Sequence, residues 1–453
     1  MTKTYYLWTI GCQMNSSDSQ RVASELEKLG YHCAPNYREA DVVVLNTCVV
    51  RQSAEDKATG FLWTLKPYKE NRPDKVIALM GCMVGVKGHK LAKAFPHVDV
   101  FMPPSEPSPL IDYLLARQGE QESLAYRYQL QDEPSPIQEG NLSLVLPFHE
   151  RNNLVAAHVP ILYGCNHVCT YCIIPSRRGR ERSRSVGEIV NEVRSLVTQG
   201  VREVTLLGQI VDRYGYDVPD GPRLPDVLRV LNDLEGLQRI RFLTSHPNYM
   251  TSELLEAVAE LPKVCEHIEI PNQSGDDLIL EQMKRDYNME NYCHLIERIR
   301  ARLSELSIAT DIIVGFPGET EAQFQRTLDY LAQLKLDVCH VAMYSPRSGT
   351  VSAKLWPDNV PAEEKKRRLN AVNQLQEQIL IEINGRLLGR TMEILVEDKQ
   401  RGRWQGRTRT NKLVFFEDDD NNWKGQLVNL EITWTGPWSL RGTLPGRKPL
   451  KVE

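Results

Sequence analysis

Three cysteines fall within eight residues at Cys165-Asn-His-Val-Cys169-Thr-Tyr-Cys172. Thiolates this close in the chain can wrap one metal ion or one iron–sulfur cluster. A closed zinc site wants four ligands, usually completed by a second pair, and no second C-x-x-C follows. On a cubane, three thiolates leave one iron open, and an open iron can hold a substrate or cofactor. Two other readings are a zinc site completed by His167 or a distant residue, and three cysteines packed in a core. The dense spacing and the polar flanks Asn166, His167 and Thr170 argue against the core.

A second set is dispersed. Cys12 (IGCQMN), Cys48 (LNTCVV) and Cys82 (LMGCMV) each follow directly on a run with strand character. In a parallel sheet the carboxyl ends of the strands share one edge, so these three thiols can converge there. Cys33, Cys265, Cys293 and Cys339 have no such placement and read as small buried hydrophobes.

The elements that position both sets follow from periodicity. Strand patterns at Tyr5–Ile10, Asp41–Asn46, Lys75–Met80 and Val98–Met102 alternate with helical patterns at Ser17–Leu29 and Ala54–Tyr68, predicting a small doubly wound parallel sheet. The proline-rich stretches 103–109 and 132–140 read as boundary loops. From about residue 155 the alternation restarts with strands at His158–Tyr163, Glu203–Leu207, Arg239–Leu243, His267–Ile270, Ala309–Val314 and Val338–Tyr344. Six strands separated by five helical patterns predict a partial (β/α) barrel, with Cys165–Cys172 at the carboxyl-end face of its first strand. A helical run at Glu363–Ile383 leads into short strands with Gly and Asn turns from Gly389 onward, an all-β barrel of the OB kind. The fold class is therefore α/β with a C-terminal all-β module, in three units at 1–140, 151–380 and 382–449.

Basic residues cluster twice. Arg177, Arg178, Arg180, Arg182 and Arg184 follow the cysteine loop, a position suited to phosphate or carboxylate contact. Arg401, Arg403, Arg407, Arg409 and Lys412 surround Trp404, and basic residues with an interleaved aromatic suit phosphate contact plus base stacking. A solvated charged loop is the plainer reading of the first cluster. Phe415 and Phe416 are adjacent, so alternation turns one of them inward.

Together these motifs resemble the radical S-adenosylmethionine (SAM) methylthiotransferases over essentially the whole chain. The resemblance rests on the cysteine loop, GCQMN…DS at 11–19, NTCVVR…AE at 46–55, SRRGRERSR at 176–184, TSHP at 244–247, PNQSG at 271–275, DIIVGFPGET at 311–320 and YSPRSGT at 344–350. GCQMN…DS and NTCVVR…AE are similar to the branch acting on tRNA isopentenyladenosine. Glu269, Asp276 and Asp286 depart from the family's usual residues, and Ile210 and Asp212 from that branch's. The resemblance implies two [4Fe–4S] clusters, one on Cys165, Cys169 and Cys172 that cleaves SAM and one on Cys12, Cys48 and Cys82 that supplies or carries sulfur. It places Tyr171 near the SAM adenine and Gly208-Gln209 facing the methionine amino group. A second SAM donates the methyl group. The implied partners are a tRNA anticodon stem-loop, with its adenosine on the 3′ side of the anticodon, and an external electron donor. The implied C-terminal module is a TRAM domain, and a monomer is expected. Alternatives are the same chemistry on threonylcarbamoyl-adenosine or on a ribosomal-protein aspartate, and a non-catalytic iron–sulfur RNA-binding protein.

Composition sets the outer limits. The 453 residues are 41% hydrophobic and 25% charged, too apolar for a disordered chain. The net charge of −4 excludes a basic coat protein. It conceals an asymmetry: residues 386–453 hold 13 Lys+Arg against 9 Asp+Glu, leaving 42 against 50 in residues 1–385. The N-terminus shows no signal-peptide pattern, and no apolar stretch approaches the ~20 residues of a membrane helix. A cytoplasmic protein is expected, where clustered cysteines bind metal or react rather than pair.

Overall fold

The computed structural model describes residues 2–86, 89–119 and 144–446. The 132–140 stretch, and with it the first unit's predicted end at 140, lies outside them, as do residues 447–449.

The N-terminal unit is a five-stranded parallel sheet in the order His32–Cys33, Thr4–Thr9, Val42–Thr47, Val76–Gly81, Val100–Met102. Its inner strands are apolar at nearly every position because both faces are covered. Val43, Leu45, Ile77 and Leu79 enter one core, and Val42, Val44, Ala78 and Met80 the other. The helix predicted at Ser17 begins earlier, at Gln13, with Cys12 as its N-cap residue. The 103–109 stretch is not wholly a loop. A helix, Ser108–Gly119, starts inside it with Pro109 in the first turn, where a missing N–H costs nothing.

The six barrel strands are Ala156–Pro160, Glu203–Leu207, Arg239–Phe242, His267–Glu269, Ser307–Val314 and Val338–Met343. They form two parallel three-stranded sheets joined through an Ile240–Val264 bridge. Outer helices start at side-chain caps, for example the Ser185/Glu188 capping box before Val186–Thr198. Their apolar faces pack on the outward-pointing strand residues, such as Val204, Leu206, Ile240, Phe242, Ile268 and Ile312.

The helix Ala362–Gly385 leads into a closed five-stranded barrel, in the order Thr391–Gln400, Arg403–Thr408, Leu413–Phe416, Leu440–Thr443, Leu427–Thr435. This module docks on the larger barrel through arginines that alternate with the core residues Ile240 and Phe242. Arg239 Nη1 donates to the Arg407 carbonyl at 2.7 Å, and Arg241 donates to the carbonyls of Arg409 and Thr408 at 2.7 and 2.8 Å. Glu203 receives Arg241 at 2.9 Å, so the buried guanidinium is paired.

Candidate functional site

The three dispersed cysteines meet at one sheet edge. Cys48 and Cys82 follow the ends of adjacent strands, where Thr47 pairs with Gly81. Cys12 follows Thr9, whose register partner is Asn46. Gly11 (φ +147°) is required there, because a Cβ would sit 2.6 Å from Asn15 Oδ1 and 2.9 Å from Cys48 Cβ. Asn15 Nδ2 donates to Asn46 Oδ1 and to the Thr47 carbonyl at 2.8 and 3.0 Å, tying the helix start to the strand end. Gly81 is likewise pressed against the Thr47 carbonyl. Burial pushes the Cys48 and Cys82 thiols up, and the nearby Arg178 cation draws both down.

The clustered cysteines lie in the loop after the first barrel strand. That loop is pinned by three hydrogen bonds: the Thr170 amide donates to the Met283 carbonyl, its hydroxyl to the Gln282 carbonyl, and the Ser352 amide to the Thr170 carbonyl. Burial pushes Cys165 up to about 11 and Cys172 to about 12. Such thiols stay protonated until a metal displaces the proton. Arg285 Nη1 reaches Cys169 Sγ at 3.6 Å. Cys82, Cys165, Ile173, Ile174 and Ile210 share one apolar cluster, with Cys172 packed against it, so both triads border the same interior. Among the described residues no three His, Cys, Asp or Glu side chains close on a single ion; thiolates that take separate corners of a cube need not do so.

Above the barrel strands, four buried polar atoms lack a hydrogen-bond partner among the described residues: Asp212 Oδ1, Ser245 Oγ, His246 Nε2 and Asn272 Oδ1. They follow the carboxyl ends of the second, third and fourth strands. Buried polar atoms left over in this way are the groups a bound ligand would have to pair. Burial raises Asp212 to about 8 and lowers His246 to about 2, so at neutral pH the first is largely protonated and the second neutral. Glu269 is raised to about 7 by burial and by Asp311. Tyr171 is half-buried against Phe316 and Tyr344, close enough to Arg285 to feel its charge. A Cβ at Gly208 would be crowded, 3.0 Å from Val211 Cα, and Gln209 is half-buried beside it. Arg285 and Asp212 were not singled out as site residues in the sequence. Ser245, His246 and Asn272 sit in TSHP and PNQSG, so their motifs were the available signal.

The basic clusters divide. Arg178 is no surface residue: its side chain is 3% exposed and pairs with the fully buried Asp18 at 3.4 Å. Arg177 lies against Gly85, with its Nε buried. Trp404 is buried in the C-terminal core, its Nε1 donating to the Asp418 carbonyl at 2.9 Å, so it offers no base a stacking face. Arg409 is committed to Glu266 at 2.7 Å and to the carbonyls of Pro262 and Val264. Lys412 pairs with Asp337 at 3.0 Å. These last two fasten the module to the barrel. Arg407 is half-buried between Glu397 and Asn411. Arg180 and Arg401 are exposed, and Arg403 lies over the Phe415 ring; Phe416 is the inward neighbour. Of the four other cysteines, Cys265 and Cys339 are buried and Cys293 half-buried, but Cys33 is exposed on the short edge strand.

The folded chain with this cysteine loop is that of a radical SAM enzyme. Residues 159–331 match the radical SAM superfamily, 385–444 the TRAM domain, and 4–103 the uncharacterized protein family UPF0004. The radical SAM methyltransferase TsrM from Kitasatospora setae shares the fold at a TM-score of 0.56 and 12% identity, covering 89% of this chain and 81% of its own. The cobalamin-dependent radical enzyme OxsB gives 0.53 at 13% identity, covering 83% and 56%. Far nearer is a Herpetosiphon aurantiacus tRNA-2-methylthio-N(6)-dimethylallyladenosine synthase, 46% identical over 448 residues, 98% of this chain and 97% of the relative. A Dehalococcoides mccartyi protein of the same name is 45% identical over 97% and 98%. The chain belongs to the family of tRNA-2-methylthio-N(6)-dimethylallyladenosine synthases.

Proposed function

We propose that this enzyme replaces the hydrogen on carbon 2 of N6-dimethylallyladenosine (isopentenyladenosine) in tRNA with a methylthio group. The observation that carries the reading is the pair of cysteine triads bordering one interior. Carbon 2 of adenine is unactivated, so its substitution needs a radical at one side and a sulfur donor at the other. Cys165, Cys169 and Cys172 are assigned one [4Fe–4S] cluster, and Cys12, Cys48 and Cys82 a second. When bound, the first cluster and SAM supply the hydrogen-abstracting radical, and the second supplies the sulfur. The chain's own part is to hold the two sites in register and keep water out. Arg285 holds the cysteine loop in place, and Asp212, Ser245, His246 and Asn272 are assigned to SAM together with Tyr171, Gly208 and Gln209.

The three units are assigned to residues 1–140, 151–380 and 382–449. For RNA the reading retains Arg180, Arg401 and Arg403, with the net-positive C-terminal module facing an anticodon stem-loop. An external donor supplies electrons, and the working form is a cytoplasmic monomer. Among the described residues no helix is long and apolar enough to cross a membrane. The test is mass spectrometry of tRNA nucleosides from a strain lacking the gene. Loss of 2-methylthio-isopentenyladenosine, restored by the gene, supports the reading. An unchanged level of that nucleoside refutes it.

A further inference from the structure

The barrel unit sends one residue into the other unit's cysteine site. Arg178 ends the short helix Ile174–Arg178 that follows Cys172, yet its guanidinium is buried against the N-terminal sheet edge. Nη2 donates to Asp18 Oδ2 at 3.4 Å and Nη1 to Ser105 Oγ at 3.3 Å. Asp18 lies on the helix whose N-cap residue is Cys12, and its second oxygen, Oδ1, is buried without a partner among the described residues. The neighbouring Arg177 and Gly179 lie against Gly85 and Val86, the segment that follows Cys82. A fixed cation therefore sits among the chain segments that carry Cys12 and Cys82, and it comes from a different unit of the protein.

We propose that Arg178 is a positioning residue of the Cys12–Cys48–Cys82 site, whose buried charge sets the reduction potential of the group held there. This rests on the reading that those cysteines hold a [4Fe–4S] cluster. Reduction adds one negative charge to the cluster, and potentials of such centres follow local charge, hydrogen bonds to sulfur and solvent exposure. A cation 3% exposed is poorly screened by water, so it favours the reduced state strongly. Asp18 works in the opposite sense, as the anion that partly cancels it. Arg180, two residues on, is exposed and has no such leverage.

The experiment uses the full chain with C165A, C169A and C172A, so that only one cluster reports. The protein is reconstituted anaerobically, its iron and sulfide are counted, and its midpoint potential is measured by EPR-monitored titration. R178Q is expected to disfavour reduction at least tenfold, a 59 mV fall for one electron. R178K keeps the charge and is expected to stay within threefold of the parent. D18N is expected to move the potential the other way. A packing role alone does not give opposite signs for two members of one ion pair, so shifts of the same sign, or none, in iron-replete R178Q and D18N overturn the inference. If R178Q binds no iron, R178K decides: full iron supports the role of charge, and equal loss overturns it. A parent that binds no iron refutes instead the cluster assignment beneath it.

Discussion

Glu192 is where the N-terminal unit and the barrel are joined by charge, and its removal has a calculable cost. It lies on the helix Val186–Thr198 and is fully buried. Arg21 from the N-terminal unit donates to both its oxygens at 2.6 and 2.7 Å, and Arg184 pairs with it at 2.6 Å. Glu192→Ala leaves two largely buried guanidinium groups without their anion, and breaking such a pair costs about 3–5 kcal/mol. At roughly 2–4 °C per kcal/mol for a unit of 150–250 residues, the first transition in calorimetry should fall by about 6–20 °C. Arg21→Ala should cost less, because Glu192 keeps Arg184. Burial alone pushes Glu192 up, but Arg21 and Arg184 more than offset it and hold the carboxyl below its ordinary value. The contribution is thus present above the unfolded value near 4.3 and disappears as pH falls through the depressed folded one. Parent and variant should therefore converge in acid. A fall under about 2 °C at pH 7, or a larger loss from Arg21→Ala than from Glu192→Ala, would refute the reasoning.

Three further outcomes are expected. Replacing Cys165, Cys169 and Cys172 by Ala should abolish release of 5′-deoxyadenosine while leaving one cluster visible by EPR; replacing Cys12, Cys48 and Cys82 should leave SAM cleavage but no methylthio product. Trp404→Ala empties a core site of the C-terminal barrel and should cost about 3–5 kcal/mol, seen as loss of that module's amide-exchange protection. Weaker RNA binding by a fully protected module would return Trp404 to the surface. Burial raises Asp212 to about 8. Between its unfolded value near 3.9 and that value the folded state holds the extra proton, so its contribution to stability falls by roughly 1.4 kcal/mol per pH unit as pH rises. Asp212→Asn should remove that slope from urea denaturation of the cofactor-free protein between pH 6 and 8, and an unchanged slope counts against it.

Much of the architecture was legible because each signal is local. The barrel strands are short apolar or alternating segments, and Cys12, Cys48, Cys82 and Cys165 come shortly after strand ends, which places them on carboxyl edges without any knowledge of packing. The basic clusters were not legible in the same way. Arg178 finds Asp18 across 160 residues, Arg409 finds Glu266 across 143, and Lys412 finds Asp337 across 75. An arginine beside a reactive loop reads alike whether it faces solvent or a distant carboxylate. Trp404 did carry a signal: it alternates in phase with Gly406 and Thr408 on the inward side of its strand, opposite Arg403, Gln405 and Arg407. The helix start at Gln13 was missed because Asn15, Ser17 and Ser19 are buried polar residues with partners on strand ends and in the barrel.

The distribution of those distant pairs has a mechanical consequence. The seams between units are crossed by Arg21–Glu192, Arg178–Asp18, Arg347–Glu55, Arg239–Glu393 and Arg409–Glu266. Apolar residues of similar volume could join two units with equal or greater stability, since desolvation consumes much of a buried pair's attraction. What the pairs add is direction: a guanidinium fork accepts few orientations of its carboxylate. Arg347 shows the use of this. From the loop after the last barrel strand, its Nε donates to the Val50 carbonyl at 3.1 Å and its Nη1 to Gln52 at 2.8 Å, on the segment that follows Cys48. The chain leaving one cysteine triad is thus anchored to the barrel that carries the other. In the proposed reaction the radical and the sulfur come from different triads and must meet at one carbon, which tolerates little relative drift, because an error of about 1 Å can cost a hundredfold in rate. Directional bonds at the seam hold that register where sliding apolar surfaces would not.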